Sequence, residues 1–247
     1  MPQESRVTSV LHLLINTLFP TSCAVCEEPL RNDPVPFFCR SCWNMLSPIS
    51  GPCCPKCGRP FGSPVALRFS PFHRCGPCRT RPFAFTQAWS LYPYASPMKE
   101  AIGLFKYQGK LSLTRTLTRA LIQALPALPP IDGLMAVPLH PSRLRAREYN
   151  QSSLLAYRLS RHLHLPVYYS CLIRTRPTPP QTTLKKKARL TNLRRAFAVS
   201  NPLLIKGKRI LLVDDVLTTG ATLHECAKTL RRAGSGPVYG LTLARMV

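Results

Sequence analysis

The sequence is poor in acidic residues. Its 247 residues include 10 Asp and Glu against 34 Lys and Arg, which gives a formal charge of +24. An imbalance of this size exceeds what solubility needs, and it indicates a polyanionic partner: a phosphate compound, a nucleic acid or an anionic lipid. The hydrophobic content of 45% is ordinary and excludes a basic tail protein that is mostly disordered. The length suits one large domain and one small one.

Long hydrophobic runs are also missing. No stretch of roughly 18 uncharged apolar residues occurs, so we expect no membrane-spanning helix. Residues 7–19, followed by Cys23, loosely imitate a secretion signal with a lipid-modified cysteine, but Glu4, His12 and Asn16 are poor features for a signal. The helical spacing of the apolar residues instead favours an amphipathic helix over residues 1–20 that packs on the rest of the protein.

Cysteine, by contrast, is abundant and regularly spaced. Eight of the eleven cysteines form four Cys-x-x-Cys pairs: Cys23 and Cys26, Cys39 and Cys42, Cys54 and Cys57, Cys75 and Cys78. A disulfide framework has no reason to repeat a two-residue gap, whereas this gap lets two thiolates on a tight turn reach one metal ion. We therefore predict two structural zinc sites. Because zinc needs reduced thiols, we expect a cytoplasmic protein.

The simplest arrangement of the ligands is sequential, with the first four cysteines on one ion and the last four on the other. A cross-braced arrangement of the first pair with the third stays open. Residues 21–82 form the predicted double zinc ribbon, in which bound metal replaces a missing hydrophobic core. Interleaved basic and aromatic residues leave two roles open for the ribbon, a nucleic-acid surface or a structural staple and docking module.

Periodic elements begin after the cysteines, and we place a second domain at residues 88–247. The predicted strands are 88–94, 134–139, 167–173, 197–199, 209–213 and 238–244, and the predicted helices are 97–107, 111–125, 151–163 and 220–233. Basic loops are expected over 140–149 and 174–190. Strands that alternate with helices predict an α/β fold with a mostly parallel sheet and ligand chemistry at its carboxyl edge.

The segment 209–222, with the sequence RILLVDDVLTTGAT, is the most informative part of the chain. It predicts a buried strand that delivers two adjacent carboxylates, Asp214 and Asp215, to a turn of hydroxyls and small residues at a helix start. Backbone N–H groups at such a turn can hold a phosphate. The carboxylates would repel that phosphate, so they must face sugar hydroxyls or a metal ion on the same ligand. A phosphorylated ribose has all of these groups.

This segment resembles the phosphoribosyl-pyrophosphate motif of type I phosphoribosyltransferases. The resemblance implies that Asp214 and Asp215 hold the ribose 2′ and 3′ hydroxyls as the catalytic pair. It also implies that a loop of five residues wraps the 5′-phosphate: Thr218, Thr219, Gly220, Ala221 and Thr222.

The rest of the chain resembles the ComF family, whose competence members are tied to the uptake of transforming DNA. The resemblance rests on Val137-Pro-Leu-His-Pro141, on the basic segment after it and on the paired cysteine knuckles in front. It implies that backbone groups of Leu139 and His140, together with Arg143 and Arg147, contact the pyrophosphate. The type I pattern adds a magnesium ion that bridges pyrophosphate and ribose. The further substrate-binding residues it implies are Asn150, Gln151, Arg174, Arg176, Gln181 and Arg189.

One position departs from the family pattern. The family usually reads Arg-Gly-Phe-Asn-Gln where this chain has Arg147, Glu148, Tyr149, Asn150 and Gln151. Glu148 therefore adds a side chain and a negative charge near the expected pyrophosphate.

Two functions remain open at this point. The first is a phosphoribosyltransferase that uses phosphoribosyl pyrophosphate with magnesium and is linked to the processing of transforming single-stranded DNA. The second is a non-catalytic, basic DNA-binding adaptor with a vestigial or sensory ribose site, which works beside a competence helicase and a recombination-mediator protein. No motif identifies the acceptor of the ribose.

Overall fold

A computed structural model of the chain describes residues 22–63, 65–68, 70, 72–177, 193 and 195–246. The predicted amphipathic helix over 1–20 lies outside these residues. The strands are β1 Gln87–Pro93, β2 Gly133–Ala136, β3 Leu172–Arg174, β4 Phe197–Val199, β5 Ile210–Leu217 and β6 Val238–Arg245. Four of them form a parallel sheet in the order β1-β6-β5-β2, and β3 pairs with β4 in a small antiparallel ribbon. The prediction of a mostly parallel α/β sheet is confirmed.

Helices connect the strands and precede the sheet. They are α1 Arg40–Asn44, α2 Val65–Arg68, α3 Gly76–Thr80, α4 Met98–Tyr107, α5 Leu113–Gln123, α6 Pro141–Arg147, α7 Gln151–Leu163 and α8 Ala221–Arg232. A 3-10 turn covers Pro202–Ile205. Among the helices of the described residues, none combines the length and the apolar character that crossing a membrane requires.

Two of the expected elements were wrong. The predicted loop over 140–149 contains helix α6, because His140 caps its first turn by accepting the Ser142 N–H and Pro141 suits a first helical position. The predicted strand over 167–173 is interrupted. Val167 bridges to Leu134 at the sheet edge, a turn follows, and β3 begins only at Leu172.

Apolar residues cover both faces of the sheet. In β5, Ile210 and Leu212 face a core with helix α8, whereas Leu211 and Val213 face a core with helices α4, α5 and α7. This alternation is the period of two that a strand imposes on its side chains. The sheet is thus buried on both sides, and its carboxyl edge is left to carry the polar chemistry.

The cysteine-rich region packs against both cores. Its last four cysteines belong to the core of helix α8, and Phe38 belongs to the core of helices α4, α5 and α7. The domain boundary near residues 82–88 stays a prediction.

Candidate functional site

The cysteines form two compact groups, which we call the first and the second cysteine cluster. The first contains Cys23, Cys26, Cys39 and Cys42, and the second contains Cys54, Cys57, Cys75 and Cys78. Within each cluster the sulfur atoms lie within 4.8 Å of one another, in the sequential rather than the cross-braced grouping.

Both clusters fit zinc. Zinc–sulfur bonds of about 2.3 Å in a tetrahedron put the sulfur atoms about 3.8 Å apart. The Sγ atoms of Cys26 and Cys39 are 3.7 Å apart, and those of Cys57 and Cys75 are 3.6 Å apart. Four thiolates without a carboxylate or an open position form a closed, structural donor set. The clusters differ in burial, since all four cysteines of the second are buried while Cys26 of the first is exposed.

The acidic pair lies inside β5 rather than after its end. The strand runs to Leu217, and Asp214 pairs with Thr242 of β6 in the register of the sheet. Strand alternation turns the two side chains to opposite faces, and their environments differ. Asp215 is 3% exposed, whereas Asp214 is partly exposed.

Helices α4 and α7 both hold Asp215, and helix α7 also holds Asp214. Asp215 accepts hydrogen bonds from Lys106 Nζ at 2.6 Å and from Gln151 Nε2 at 2.7 Å. Asp214 Oδ1 accepts bonds from the Ser152 hydroxyl and from the Asp215 N–H, both at 2.9 Å. Both oxygens of Asp215 are therefore engaged with side chains of the protein.

Burial and the charge of Asp215 raise the pKa of Asp214 to about 7. Burial lowers the pKa of the Lys106 ammonium, but the Asp215 charge outweighs this effect, and the pKa of Lys106 is raised overall. The lysine is thus charged and neutralises Asp215, while Asp214 titrates near neutral pH.

The acidic pair opens onto a cavity of about 960 Å³ at the carboxyl edge of the sheet. Nine of the predicted site residues line it: Leu139, Arg143, Arg147, Gln151, Arg174, Asp214, Asp215, Thr218 and Thr222. Burial and the neighbouring Arg147 lower the pKa of Arg143, and burial and Arg143 lower that of Arg174. Closely spaced, partly desolvated guanidinium groups of this kind favour a bound anion.

The turn after β5 has the backbone of an anion site. Gly220 is the residue before helix α8 and has a φ of 79°, a left-handed conformation that favours glycine. A Cβ atom at Gly220 would lie 3.2 Å from the Phe83 ring. Residues 218–222 thus lie at the amino end of a twelve-residue helix, where backbone N–H groups and the helix dipole attract negative charge.

Several predicted residues do not line the cavity. His140 and Asn150 cap helices α6 and α7 through their side chains. Arg176 is exposed, and Thr219, Gly220 and Ala221 contribute the backbone between Thr218 and Thr222. Gln181 and Arg189 lie outside the described residues. The ligand roles of all these residues stay predictions.

Sequence reasoning missed Lys106 and Ser152 as partners of the acidic pair, and it missed Tyr94, Tyr107 and Tyr149 as cavity residues. The segment Lys106-Tyr107-Gln108-Gly109-Lys110 also fits the resemblance to the ComF family, and this fit is the feature of the sequence that could have indicated a role for Lys106. No feature of the sequence predicted that the Lys106 ammonium group contacts Asp215, which lies 109 residues further along the chain.

Comparison with known proteins agrees with this architecture. Residues 14–81 match the double zinc ribbon domain, and residues 150–238 match the phosphoribosyl transferase domain. The chain is 30% identical over 229 residues to the DNA utilization protein YhgH of Escherichia coli (strain K12). The matched region covers 90% of this chain and 89% of the relative.

Two competence proteins are similarly related. Identity to competence protein F of Haemophilus influenzae is 32% over 216 residues, covering 84% of this chain and 90% of the relative. Identity to competence protein ComFC of Bacillus subtilis is 31% over 239 residues, covering 90% and 94%. Two cysteine clusters, a phosphoribosyltransferase-like parallel sheet and relatives matched over nearly their whole length lead to one conclusion: the chain belongs to the ComF family.

Proposed function

We propose that the cavity binds phosphoribosyl pyrophosphate together with magnesium, and that the protein acts as a phosphoribosyltransferase. One observation carries this proposal: three groups line the same cavity at one edge of the sheet. They are the acidic pair, the turn 218–222 and the three arginines Arg143, Arg147 and Arg174. Such a ligand has hydroxyl groups and two separate phosphate ends, which matches carboxylates that share one cavity with two anion-attracting regions.

In this proposal the two carboxylates have unequal roles. Asp215 already accepts bonds from Lys106 and Gln151, so it fixes the two helices rather than reaching far into the cavity. Asp214 is the more exposed carboxylate and accepts the ribose hydroxyls. The 5′-phosphate lies against the N–H groups of residues 218–222, and the pyrophosphate lies against Arg143, Arg147 and Arg174.

The donor set admits magnesium as part of the ligand. Magnesium is commonly held by one or two carboxylates plus substrate phosphates and keeps several waters. Asp214 offers the carboxylate, and the ligand itself brings the phosphates. When bound, the ion supplies charge neutralisation at the departing pyrophosphate.

The chain's own residues then perform two tasks. As the bond from the anomeric carbon to pyrophosphate breaks, positive charge develops on the ribose, and the carboxylate of Asp214 stabilises it electrostatically. The guanidinium groups hold the negative charge that leaves with the pyrophosphate. An acceptor nucleophile forms the new bond to the anomeric carbon.

We further propose that this activity serves the processing of transforming single-stranded DNA, beside a competence helicase and a recombination-mediator protein in the cytoplasm. Support comes from the net charge of +24 and from relatives named for competence and DNA utilization. Fluorescence anisotropy can measure the binding of a labelled single-stranded oligonucleotide. The affinity should fall steeply as the salt concentration rises, because basic side chains that neutralise DNA phosphates release the counterions of those phosphates.

Isothermal titration of the zinc-loaded protein with phosphoribosyl pyrophosphate and magnesium tests the central proposal. Asp214→Asn should weaken binding at least about tenfold, since a hydrogen bond to a charged group contributes about 1.5–3 kcal/mol. Arg209→Leu is a matched control, because Arg209 pairs with Asp132 at the opposite end of β5.

The outcomes separate the two functions. Binding that is lost in Asp214→Asn and kept in Arg209→Leu supports the ribose site and justifies a screen of acceptors. Binding without turnover of any acceptor favours the sensory adaptor. A wild-type protein that does not bind the ligand contradicts the proposal and leaves a zinc-stapled adaptor.

A further inference from the structure

Arg245, the last residue of β6, is a buried cation with no role in the proposed chemistry. It is 2% exposed, and its Nη1 donates a hydrogen bond of 2.7 Å to the carbonyl oxygen of Cys57 in the second cysteine cluster. Its Nε is buried and has no hydrogen-bond partner among the described residues. In the part of the chain that the structure describes, no carboxylate forms an ion pair with it.

A buried guanidinium group is costly unless an anion compensates its charge. Four thiolates around one Zn²⁺ carry a net charge of −2. The second cysteine cluster is buried, and its Cys57 accepts the Arg245 hydrogen bond through the carbonyl oxygen. With Zn²⁺ bound, this cluster would supply an anion for Arg245. Hydrogen bonds and charges around ligating groups typically change metal affinity 10- to 100-fold.

The backbone of Arg245 leads directly to the cavity. Its carbonyl oxygen accepts the Tyr94 N–H at 2.7 Å, and the next residue, Met246, donates its N–H to Leu217 at 3.1 Å. Tyr94 and Met246 both line the cavity, and Leu217 immediately precedes the turn 218–222. One residue thus joins the second cysteine cluster to two walls of the cavity.

A second route connects the same two places. Phe83, which belongs to the same core as the second cysteine cluster, packs beneath Gly220 of the turn. The Ala84 N–H donates a hydrogen bond of 2.9 Å to His224 Nδ1 in the first turns of helix α8. The turn 218–222 and the start of helix α8 therefore pack against Phe83 and Ala84, the residues that follow the second cysteine cluster in the chain.

We propose that Arg245 is a positioning residue that couples the second cysteine cluster to the cavity, so that zinc in this cluster shapes the ligand site. The first cysteine cluster does not share this coupling, because its cysteines are absent from the core of helix α8. The coupling to phosphoribosyl pyrophosphate rests on the proposed function, whereas the coupling between cluster and cavity wall does not.

Two readouts on the full, zinc-loaded chain test this inference. A chromogenic chelator measures the release of the two zinc ions. Methionine methyl NMR reports on separate places, since Met45 follows helix α1 of the first cluster, Met246 lines the cavity, and Met98 and Met135 are buried in the two cores.

Arg245→Gln keeps a hydrogen-bond donor and removes the charge. We expect it to release the second cluster's zinc at least about tenfold faster, in line with the 10- to 100-fold effects of groups around metal ligands. The Met246 signal should shift, while the signals of Met45, Met98 and Met135 and the release of the other zinc stay as in the wild type. Arg245→Lys restores the charge and should recover most of the wild-type behaviour. Arg209→Leu should change none of these readouts.

An unchanged release rate or an unchanged Met246 signal in Arg245→Gln overturns the inference. So does a shift of all four methionine signals together, which marks a general packing defect. If Arg245→Gln does not fold, the wild type decides, because linkage is reciprocal. Phosphoribosyl pyrophosphate with magnesium should then slow the release of the second zinc and leave the first unchanged, and equal effects on both ions contradict the coupling.

If the wild type does not bind phosphoribosyl pyrophosphate, the proposed function fails on its own. The zinc release and the Met246 signal of Arg245→Gln still decide whether cluster and cavity wall are coupled.

Discussion

The cysteine clusters and the cavity are built in opposite ways. Each cluster takes its four ligands from two short knuckles that are close in the sequence, and the set is complete without any other element. The cavity collects its charged and polar side chains from helices α4, α6 and α7, from strand β3 and from the carboxyl end of β5. A cluster is therefore a local structure, whereas the cavity exists only when the whole sheet and its helices are assembled.

The difference shows in how the charges are balanced. In a cluster, the predicted Zn²⁺ offsets two of the four thiolate charges and leaves a net charge of −2. At the acidic pair, Lys106 balances Asp215, and Asp214 is left with a pKa raised to about 7 by burial and by its neighbour. The clusters are suited to hold one ion permanently, and the cavity is suited to bind and release a charged ligand.

The largest effect is expected from the second cysteine cluster. Cys57→Ser should remove one zinc and lower the melting temperature by at least about 15 °C, because a structural zinc contributes on the order of 10 kcal/mol and this cluster lies in the core of helix α8. Cys26→Ser should also remove one zinc but should lower it by less than half as much, since Cys26 is exposed.

Thermal unfolding followed by circular dichroism, with zinc determined in the same samples, checks this difference. Equal decreases in melting temperature in the two variants would show that the two clusters stabilise the fold equally.

Breaking the Lys106–Asp215 pair should have the next largest effect. Lys106→Met leaves a carboxylate that is 3% exposed without its cation, and we expect a loss of about 2–4 kcal/mol in the free energy of unfolding. Lys106→Met combined with Asp215→Asn removes the orphaned charge and should recover part of the loss. Denaturant titration measures both, and a double variant no better than the single one argues against the pair.

The titration of Asp214 gives a smaller, pH-dependent effect. The folded protein holds this proton more tightly than the unfolded chain, so the raised pKa lowers stability as the pH rises towards about 7. Without ligand, Asp214→Asn should become more stable relative to the wild type by about 1 kcal/mol between about pH 6 and pH 8. A pH-independent difference between the two proteins in denaturant titrations would place the Asp214 pKa elsewhere.

Glu148 is expected to have the smallest effect. It ends helix α6 with a φ of 67° and lines the cavity, where its charge opposes a bound anion. Glu148→Gln should tighten the binding of phosphoribosyl pyrophosphate about two- to fivefold, the effect of one charge across a partly hydrated site. Glu148→Gly should do the same and also relieve the backbone, which stabilises the fold by up to about 1 kcal/mol. Titration calorimetry and thermal unfolding separate these two contributions, and unchanged affinity in both variants places the anion away from Glu148.

The sequence predicted local features well. The two-residue cysteine gaps predicted two four-cysteine groups, and the apolar run with its acidic pair predicted the buried strand β5 and the turn into helix α8. These features depend on neighbours in the chain, and their spacing carries the geometry. Helix α6 was missed because its signals, a capping histidine and a proline, are short and because none of its residues is buried, so it has no apolar stripe.

The charge balance of the cavity could not be predicted. Lys106 and Asp215 are 109 residues apart and meet only because helix α4 packs on the face of the sheet to which Asp215 points. The buried position of Arg245 has the same origin, since its partner Cys57 is 188 residues away. Contacts of this kind depend on the assembled fold, and no local pattern encodes them.

A crystal structure of the zinc-loaded protein with phosphoribosyl pyrophosphate and magnesium would show where each group of the ligand binds in the cavity. We expect the 5′-phosphate at the backbone N–H groups of residues 218–222, the ribose hydroxyls at Asp214, and the pyrophosphate among Arg143, Arg147 and Arg174. A ligand bound away from the acidic pair, or a cavity without ligand at saturating concentration, would contradict this expectation.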